Sequence, residues 1–126
     1  MSHHVSRKQF EKLVEQALAD LPEQFAEILE ELTIEIRDRP TTKQLASVGL
    51  SDDQLLLGLY HGRPITEQSV SDSGVLPGII YIFQEDVETA SDSKDQLIDE
   101  VRTTVLHEIG HHFGLDEDDL DALGFG

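Results

Sequence analysis

The segment His-Glu-Ile-Gly-His at positions 107–111 constrains the fold of this chain more than any other stretch. Residues four apart lie on the same face of a helix, about one turn apart. His107 and His111 can therefore direct two imidazoles at one metal ion, while Glu108 lies to the side of the pair and can reach a metal-bound water. The pattern predicts a helix that carries a zinc site, with His107 and His111 as ligands and Glu108 as the base.

The residues after this segment indicate where a third ligand would come from. Gly114 stands seven positions after His107, and glycine tolerates the left-handed conformation at which a helix ends and the chain folds back. Glu117 stands ten positions after His107, where the longer H-E-x-x-H-x-x-G-x-x-H pattern places its third ligand. We predict that Glu117 is the third metal ligand. The alternative is that Glu117 only favours the first turn of a final helix through the helix dipole.

The composition limits the class of protein. A length of 126 residues suits one domain, and we predict a single domain over residues 1–126 with a disordered start at residues 1–5. The chain has no cysteine, which excludes a disulfide scaffold and thiolate zinc ligands. Acidic residues outnumber basic ones by 26 to 9, and the net charge of −17 repels the phosphates of nucleic acids.

The hydropathy pattern bears on location. No apolar run approaches the roughly 20 residues of a membrane span, and the N-terminus lacks the apolar core of a signal peptide. We therefore expect a cytoplasmic protein without a membrane partner. The acidic surface either serves solubility or attracts cationic partners and substrates.

Helical periodicity at the start of the chain gives way to strand periodicity. Ser6 and Gln9 form a capping box before an amphipathic helix, and Pro22 suits the first turn of a second helix. The apolar face of this second helix is predicted to consist of Phe25, Ile28, Leu29 and Leu32. Three strands are predicted next, at residues 32–37, 55–60 and 79–83. Residues 40–54 are predicted as a loop with a short helical turn, residues 61–76 as a long loop and residues 85–94 as an acidic linker.

The helical spacing of apolar residues also predicts a helix in the last third of the chain. Its apolar stripe consists of Ile98, Val101, Val105, Ile109 and His112. We predict that this stripe packs into the core and that His107 and His111 project away from it. His112 is either a buried histidine or a further ligand, and its place on the stripe favours the first. The predicted fold class is α+β, with two N-terminal helices, a small three-stranded sheet, the metal-bearing helix and a short helix after Asp116.

Two imidazoles and one carboxylate leave a fourth tetrahedral position for water, which is the arrangement of a catalytic zinc site rather than a structural one. Glu108 would take the proton as this water attacks a peptide carbonyl, and could return it to the leaving amine. A further group must stabilise the oxyanion. Candidates by residue type are Tyr60, His61, Arg63 and Tyr81.

Residues 107–117 resemble the zincin metallopeptidases. The wider pattern is similar to a bacterial family of small single-domain zincin-like proteins, described as having a minimal metalloprotease fold. The similarity extends over Leu21-Pro22-Glu23, residues 57–60 with Gly62 and Pro64, Leu76-Pro77, residues 79–81 and residues 101–106. The resemblance implies His107 and His111 as zinc ligands and Glu108 as the catalytic base.

The chain departs from these relatives at two points. The small family usually has aspartate where this chain has Glu117, so Asp116 and Asp118 stay open as alternative third ligands. The larger metzincins support their metal site with a Met-turn, whereas the one methionine here is Met1.

The sequence as a whole predicts a zinc-dependent metallopeptidase-like hydrolase that cuts a peptide or an unfolded protein segment, with weak or highly selective activity. The alternative is a non-catalytic acidic protein-binding module with a structural or vestigial metal site.

Overall fold

The computed structural model of the chain describes residues 4–21, 32–62 and 78–112, together with Glu23, Glu30 and Asp118. The described helices are α1 (Arg7–Ala19), α2 (Thr42–Ser47), α3 (Gln84–Thr89) and α4 (Lys94–His112). The described strands are β1 (Leu32–Arg37), β2 (Gly58–His61) and β3 (Gly78–Phe83). The predicted α+β class with a small three-stranded sheet is confirmed.

Several predicted elements lie outside the described residues. They are the second helix between Pro22 and Leu32, most of the long loop over residues 61–76 and the short helix after Asp116. Leu32, which the sequence places at the end of the second helix and at the start of a strand, begins β1.

The three strands form a mixed sheet in the order β1-β3-β2. The central strand β3 pairs in parallel with β1 and antiparallel with β2. Among the described strands β2 is therefore an edge. Its residues pair with β3 from Gly58, opposite Ile82, to His61, opposite Ile79. Alternate residues of a strand face opposite sides of the sheet, so Gly58 and Tyr60 share the face of Ile80 and Ile82.

That face of the sheet is covered by α1 and α4. Ile80 and Ile82 are fully buried there, and the apolar stripe predicted for α4 is buried with them. Buried contributions from α1 are Phe10, Leu13, Val14 and Ala17, and those from α4 are Leu97, Ile98, Val101, Val105 and Ile109. The predicted packing of the stripe is thus confirmed for Ile98, Val101, Val105 and Ile109, whereas the side chain of His112 lies outside the part that the structure describes.

The N-terminal cap of α1 is the predicted capping box. Ser6 Oγ accepts a hydrogen bond of 3.1 Å from the Gln9 N–H, and Gln9 Oε1 accepts one of 3.2 Å from the Ser6 N–H. A second capping box, formed by Thr41 and Gln44, begins α2, which is the helical turn expected within residues 40–54.

Residues 85–94 are not the acidic linker that the sequence predicts. Most of them belong to α3 or to the start of α4. The acidic side chains Glu85 and Asp86 stand in the first turn of α3, where the helix dipole favours negative charge. Three polar side chains of this helix are buried, namely Gln84, Asp86 and Glu88.

The buried carboxylates of α3 accept hydrogen bonds from main-chain N–H groups of distant segments. Asp86 Oδ2 accepts one of 2.9 Å from Leu56, and Arg39 Nε lies 3.3 Å from Asp86 Oδ1. Glu88 Oε2 accepts one of 2.7 Å from Val5, within the stretch that the sequence predicts to be disordered. These bonds explain how acidic groups can be buried without a large desolvation penalty.

The start of β2 differs from the prediction. The sequence predicts a strand from Leu55, whereas β2 begins at Gly58. Just before it, the Leu57 carbonyl still accepts a hydrogen bond of 3.0 Å from the Phe83 N–H, and the Leu56 N–H donates to Asp86 on the side away from β3. Among the described residues, no helix is long and apolar enough to cross a membrane.

Candidate metal centre

The middle of α4 brings His107, Glu108 and His111 together. One potential ligand atom from each residue lies within 4.8 Å of the others. The two imidazole rings have their centroids 4.9 Å apart and are inclined at 69°. Both histidines are half-buried, whereas Glu108 is 7% exposed. This is the cluster that the spacing of the three residues predicts.

The helix can present this cluster because its apolar residues and its two histidines lie on different faces. Val101, Val105 and Ile109 are buried in the core and hold α4 against the sheet. His107 and His111 are displaced around the helix from this stripe, since neighbouring residues are about 100° apart. The core therefore anchors the helix without covering the two imidazoles.

Glu108 is tied to the edge strand. The main-chain N–H of Tyr60 donates a hydrogen bond of 2.8 Å to Glu108 Oε1. In a strand the N–H and C=O groups of successive residues point in alternate directions, so Tyr60 directs its N–H away from β3 and towards α4. The carboxylate is thereby held at a defined position beside the two histidines.

Gly58 allows this close approach of β2 to α4. A Cβ atom at this position would lie 2.3 Å from Thr104 Cγ2, 3.0 Å from the Tyr81 carbonyl oxygen and 3.7 Å from Glu108 Cγ. A glycine inside a strand marks a place where another segment approaches the backbone. Sequence reasoning assigned Gly58 no role, although this signal was available.

A groove of about 230 Å³ adjoins the cluster. Its lining comes from the segment entering β2 and from one face of α4, and consists of Leu56, Leu57, Gly58, Glu100, Thr103, Thr104, His107 and Glu108. Sequence reasoning missed Glu100, Thr103 and Thr104. They lie seven, four and three positions before His107, where helical spacing brings them to the same side of α4.

The candidates for oxyanion stabilisation separate onto the two faces of the sheet. Tyr60 lies on the face that α4 covers, and burial raises the pKa of its phenol. His61 and Tyr81 lie on the opposite face, with ring centroids 6.5 Å apart. Arg63 lies outside the described residues. The geometry thus disfavours His61 and Tyr81 as groups acting at the cluster.

The donor set fits a zinc ion. Zinc prefers imidazole nitrogen with carboxylate oxygen when no thiolate is present, and a catalytic site keeps one position open. His107 and His111 could supply two nitrogens from consecutive turns of α4. The predicted third ligand Glu117 and the alternative Asp116 lie outside the described residues, and Asp118 is an exposed residue.

Comparisons with known proteins agree with this geometry. The model of the zincin-like metallopeptidase family matches residues 29–126. The structure of a conserved hypothetical protein from Thermus thermophilus is similar, with a TM-score of 0.56 and 24% sequence identity over 86% of this chain and 94% of that chain. This likeness shows the fold alone. No curated protein matches the chain. The family match covers most of the chain and includes the cluster, and the chain therefore belongs to the zincin-like metallopeptidase family.

Proposed function

We propose that this protein is a zinc-dependent hydrolase that cleaves peptide bonds, with Glu108 as the catalytic base. One observation carries the proposal: Glu108 lies beside two histidines whose potential ligand atoms are within 4.8 Å of its own, and it accepts a hydrogen bond from the Tyr60 N–H of β2. The family match to zincin-like metallopeptidases supports the same reaction class.

His107 and His111 would hold the zinc ion, with Glu117 as the proposed third ligand. A zinc ion bound there supplies Lewis acidity, which lowers the pKa of water and polarises a carbonyl group. Zinc binds imidazole in its neutral form, and zinc affinity is therefore expected to depend on pH.

Glu108 would act as a proton carrier. Its carboxylate accepts the proton of the attacking water and delivers that proton to the nitrogen of the leaving amine. A base that is already oriented needs little rearrangement before the reaction. The hydrogen bond from Tyr60 provides that orientation, because it holds Oε1 on the sheet side of the helix.

The edge strand β2 offers a place for an extended substrate. Gly58 is two residues before Tyr60, so both direct their main-chain groups away from β3. Because the Tyr60 N–H donates to Glu108, a substrate would pair with the main chain of Gly58 and with the Tyr60 carbonyl. A peptide strand can add to such an edge through main-chain hydrogen bonds. The scissile carbonyl of a peptide lying there would come next to the cluster, since Tyr60 itself contacts Glu108.

The substrate is proposed to be an unfolded or flexible segment. An added strand must be extended and accessible, which a folded protein rarely offers. The net charge of −17 favours association with cationic segments and disfavours nucleic acids. Activity is expected to be weak or highly selective, because the groove of about 230 Å³ is smaller than the pockets of roughly 300–1,000 Å³ that enclose small ligands.

The test combines metal content with turnover. The protein is purified without added zinc, its metal is measured, and the zinc-loaded form is incubated with a diverse peptide library. Glu108→Gln is expected to keep its zinc and to lose cleavage. Asp99→Asn removes a carboxylate from an exposed position of the same helix and should retain both.

Each result of this test points in one direction. Rapid cleavage of many unrelated peptides would refute selectivity. Absence of cleavage by a protein with one zinc per chain would favour the alternative of a non-catalytic protein-binding module. Cleavage that survives in Glu108→Gln would exclude Glu108 as the base.

A further inference from the structure

The groove beside the cluster is lined by different kinds of side chain at different points along α4. At one end are His107 and Glu108, and at the other is Glu100, a half-buried carboxylate on the same helix. Thr103 and Thr104 lie between them along the helix, and Leu56 and Leu57 from the segment before β2 also line the groove. A groove with leucine side chains and a carboxylate suits a long side chain with an aliphatic stem and a cationic head.

We infer that Glu100 determines substrate specificity by binding a lysine or arginine side chain of the substrate. This inference rests on the proposed function, since it assumes a peptide placed beside β2. The apolar walls would cover the methylene groups of that side chain, and the Glu100 carboxylate would pair with its ammonium or guanidinium group.

The charges around Glu100 support this role. Arg102 of α4 pairs with Asp99 and with Asp20. Among the described residues, no lysine or arginine forms an ion pair with Glu100. A carboxylate that lines a groove can attract a cationic group of a ligand.

Helix geometry limits which substrate position is recognised. His107 is seven positions after Glu100, which corresponds to about 10 Å along α4 at 1.5 Å per residue. An extended peptide advances about 3.3–3.6 Å per residue. The recognised basic side chain should therefore belong to a residue within about three positions of the cleaved bond.

The volume of the groove agrees with recognition of one side chain. A groove of about 230 Å³ lies below the range of roughly 300–1,000 Å³ found for pockets that enclose whole small ligands. Selection would therefore depend on one basic residue of the peptide rather than on several.

The experiment measures both binding and cleavage. Fluorescent peptides carry a single lysine at successive positions, and the matched series carries norleucine, which has the same stem without the ammonium group. Binding is measured by anisotropy on zinc-loaded Glu108→Gln, and cleavage is measured on the protein with Glu108 intact. At one position lysine is expected to be preferred over norleucine by about five-fold, the value of a partly exposed ion pair.

Three variants assign that preference to Glu100. Glu100→Gln should abolish the lysine preference. Glu100→Lys should reverse it, so that a peptide with glutamate at the same position binds better than the lysine peptide. Asp99→Asn, the neighbouring exposed residue on α4, should leave it unchanged. An equal loss in Glu100→Gln and Asp99→Asn would mean that net charge alone is responsible, and would overturn the inference.

The binding measurement on Glu108→Gln allows this inference to be tested separately from the proposed function. If zinc is bound and no peptide is cleaved, peptidase activity fails while lysine-selective binding still supports Glu100. If peptides are cleaved without any preference for lysine, the inference fails and the proposed function stands. Absence of binding to every peptide would overturn the inference as well.

Discussion

The main-chain N–H of Tyr60 donates a hydrogen bond of 2.8 Å to Glu108 Oε1, and so the edge strand β2 holds the carboxylate that lies beside the two histidines of α4. The two residues are 48 positions apart in the chain. The orientation of the proposed base therefore depends on the packing of the strand against the helix.

Substitutions at Glu108 should separate catalysis from packing. Glu108→Gln keeps an oxygen that can accept from Tyr60, so its unfolding free energy should stay near that of the original protein, while turnover falls by about 100-fold or more. Glu108→Ala removes the acceptor as well and should cost a further 1–3 kcal/mol, roughly, because the Tyr60 N–H is left unsatisfied. Urea unfolding and peptide turnover measure the two effects. Equal stability of the two variants would show that the hydrogen bond contributes little.

Gly58→Ala should damage the protein through a steric contact with α4. The new methyl group would lie 2.3 Å from Thr104 Cγ2, so strand and helix must move apart, at a cost of about 1–3 kcal/mol. Thr104→Ser removes the clashing methyl group. The double variant should therefore recover part of the lost stability and activity, which a double-mutant cycle of thermal unfolding would measure. Additive losses would show that the strain lies elsewhere, for instance at the Tyr81 carbonyl oxygen.

The two histidines of the cluster should be required for metal binding. We expect about one zinc per chain, and a loss of zinc affinity of more than roughly 100-fold in His107→Ala or His111→Ala, because each removes a direct ligand. His61→Ala is the matched control, since His61 is an exposed residue on the opposite face of the sheet. Competition with a chelator measures the affinity. Comparable weakening in His61→Ala would contradict the assignment.

The third ligand is tested by three alanine substitutions. Glu117→Ala should weaken zinc binding clearly more than Asp116→Ala or Asp118→Ala, because position 117 stands ten residues after His107. If Asp118→Ala is the most damaging, the ligand is one residue further along the chain. If none of the three matters, another group completes the site.

Stability should fall at alkaline pH because of Tyr60. Burial raises the pKa of its phenol in the folded protein above the ordinary value of 10.0. Below that value the phenol is protonated in both states and contributes no pH dependence. As the pH rises above it, the unfolded chain loses the proton first, and the unfolding free energy decreases.

Tyr60→Phe should remove this alkaline decrease, whereas Tyr81→Phe, which removes a phenol from the other face of the sheet, should preserve it. Urea unfolding of the metal-free protein between about pH 9 and pH 11 measures the slope. Identical slopes in Tyr60→Phe and in the original protein would refute the role of this phenol.

The parts of the fold that sequence reasoning recovered depend on local spacing. The capping box of α1, the apolar stripe of α4 and the cluster of His107, Glu108 and His111 each involve residues within a few turns of one helix. Their side chains meet wherever the helix forms, so periodicity is sufficient to predict them.

The parts that it missed depend on contacts between distant residues. The carboxylates of α3 resemble a solvated linker in composition, yet Asp86 binds a main-chain group 30 positions away and Glu88 one that is 83 positions away. The contact of Gly58 with Thr104 and the lining of the groove by Glu100 likewise need the sheet and α4 to be assembled. Hydrophobic pattern does not encode such pairs, because it shows which side of an element is buried and not what it is buried against.

The packing of α1 has a consequence for how the family similarity should be understood. The matched region begins at residue 29, whereas α1 ends at Ala19. Yet Phe10, Leu13 and Val14 belong to the same core as the buried side of α4. A fragment that starts at residue 29 would expose that apolar side of α4 to water and would remove the helix that packs against it. The stretch matched by the family model is therefore shorter than the part of the chain that builds this core, and a truncated protein made of the matched residues alone should be less stable than the whole chain.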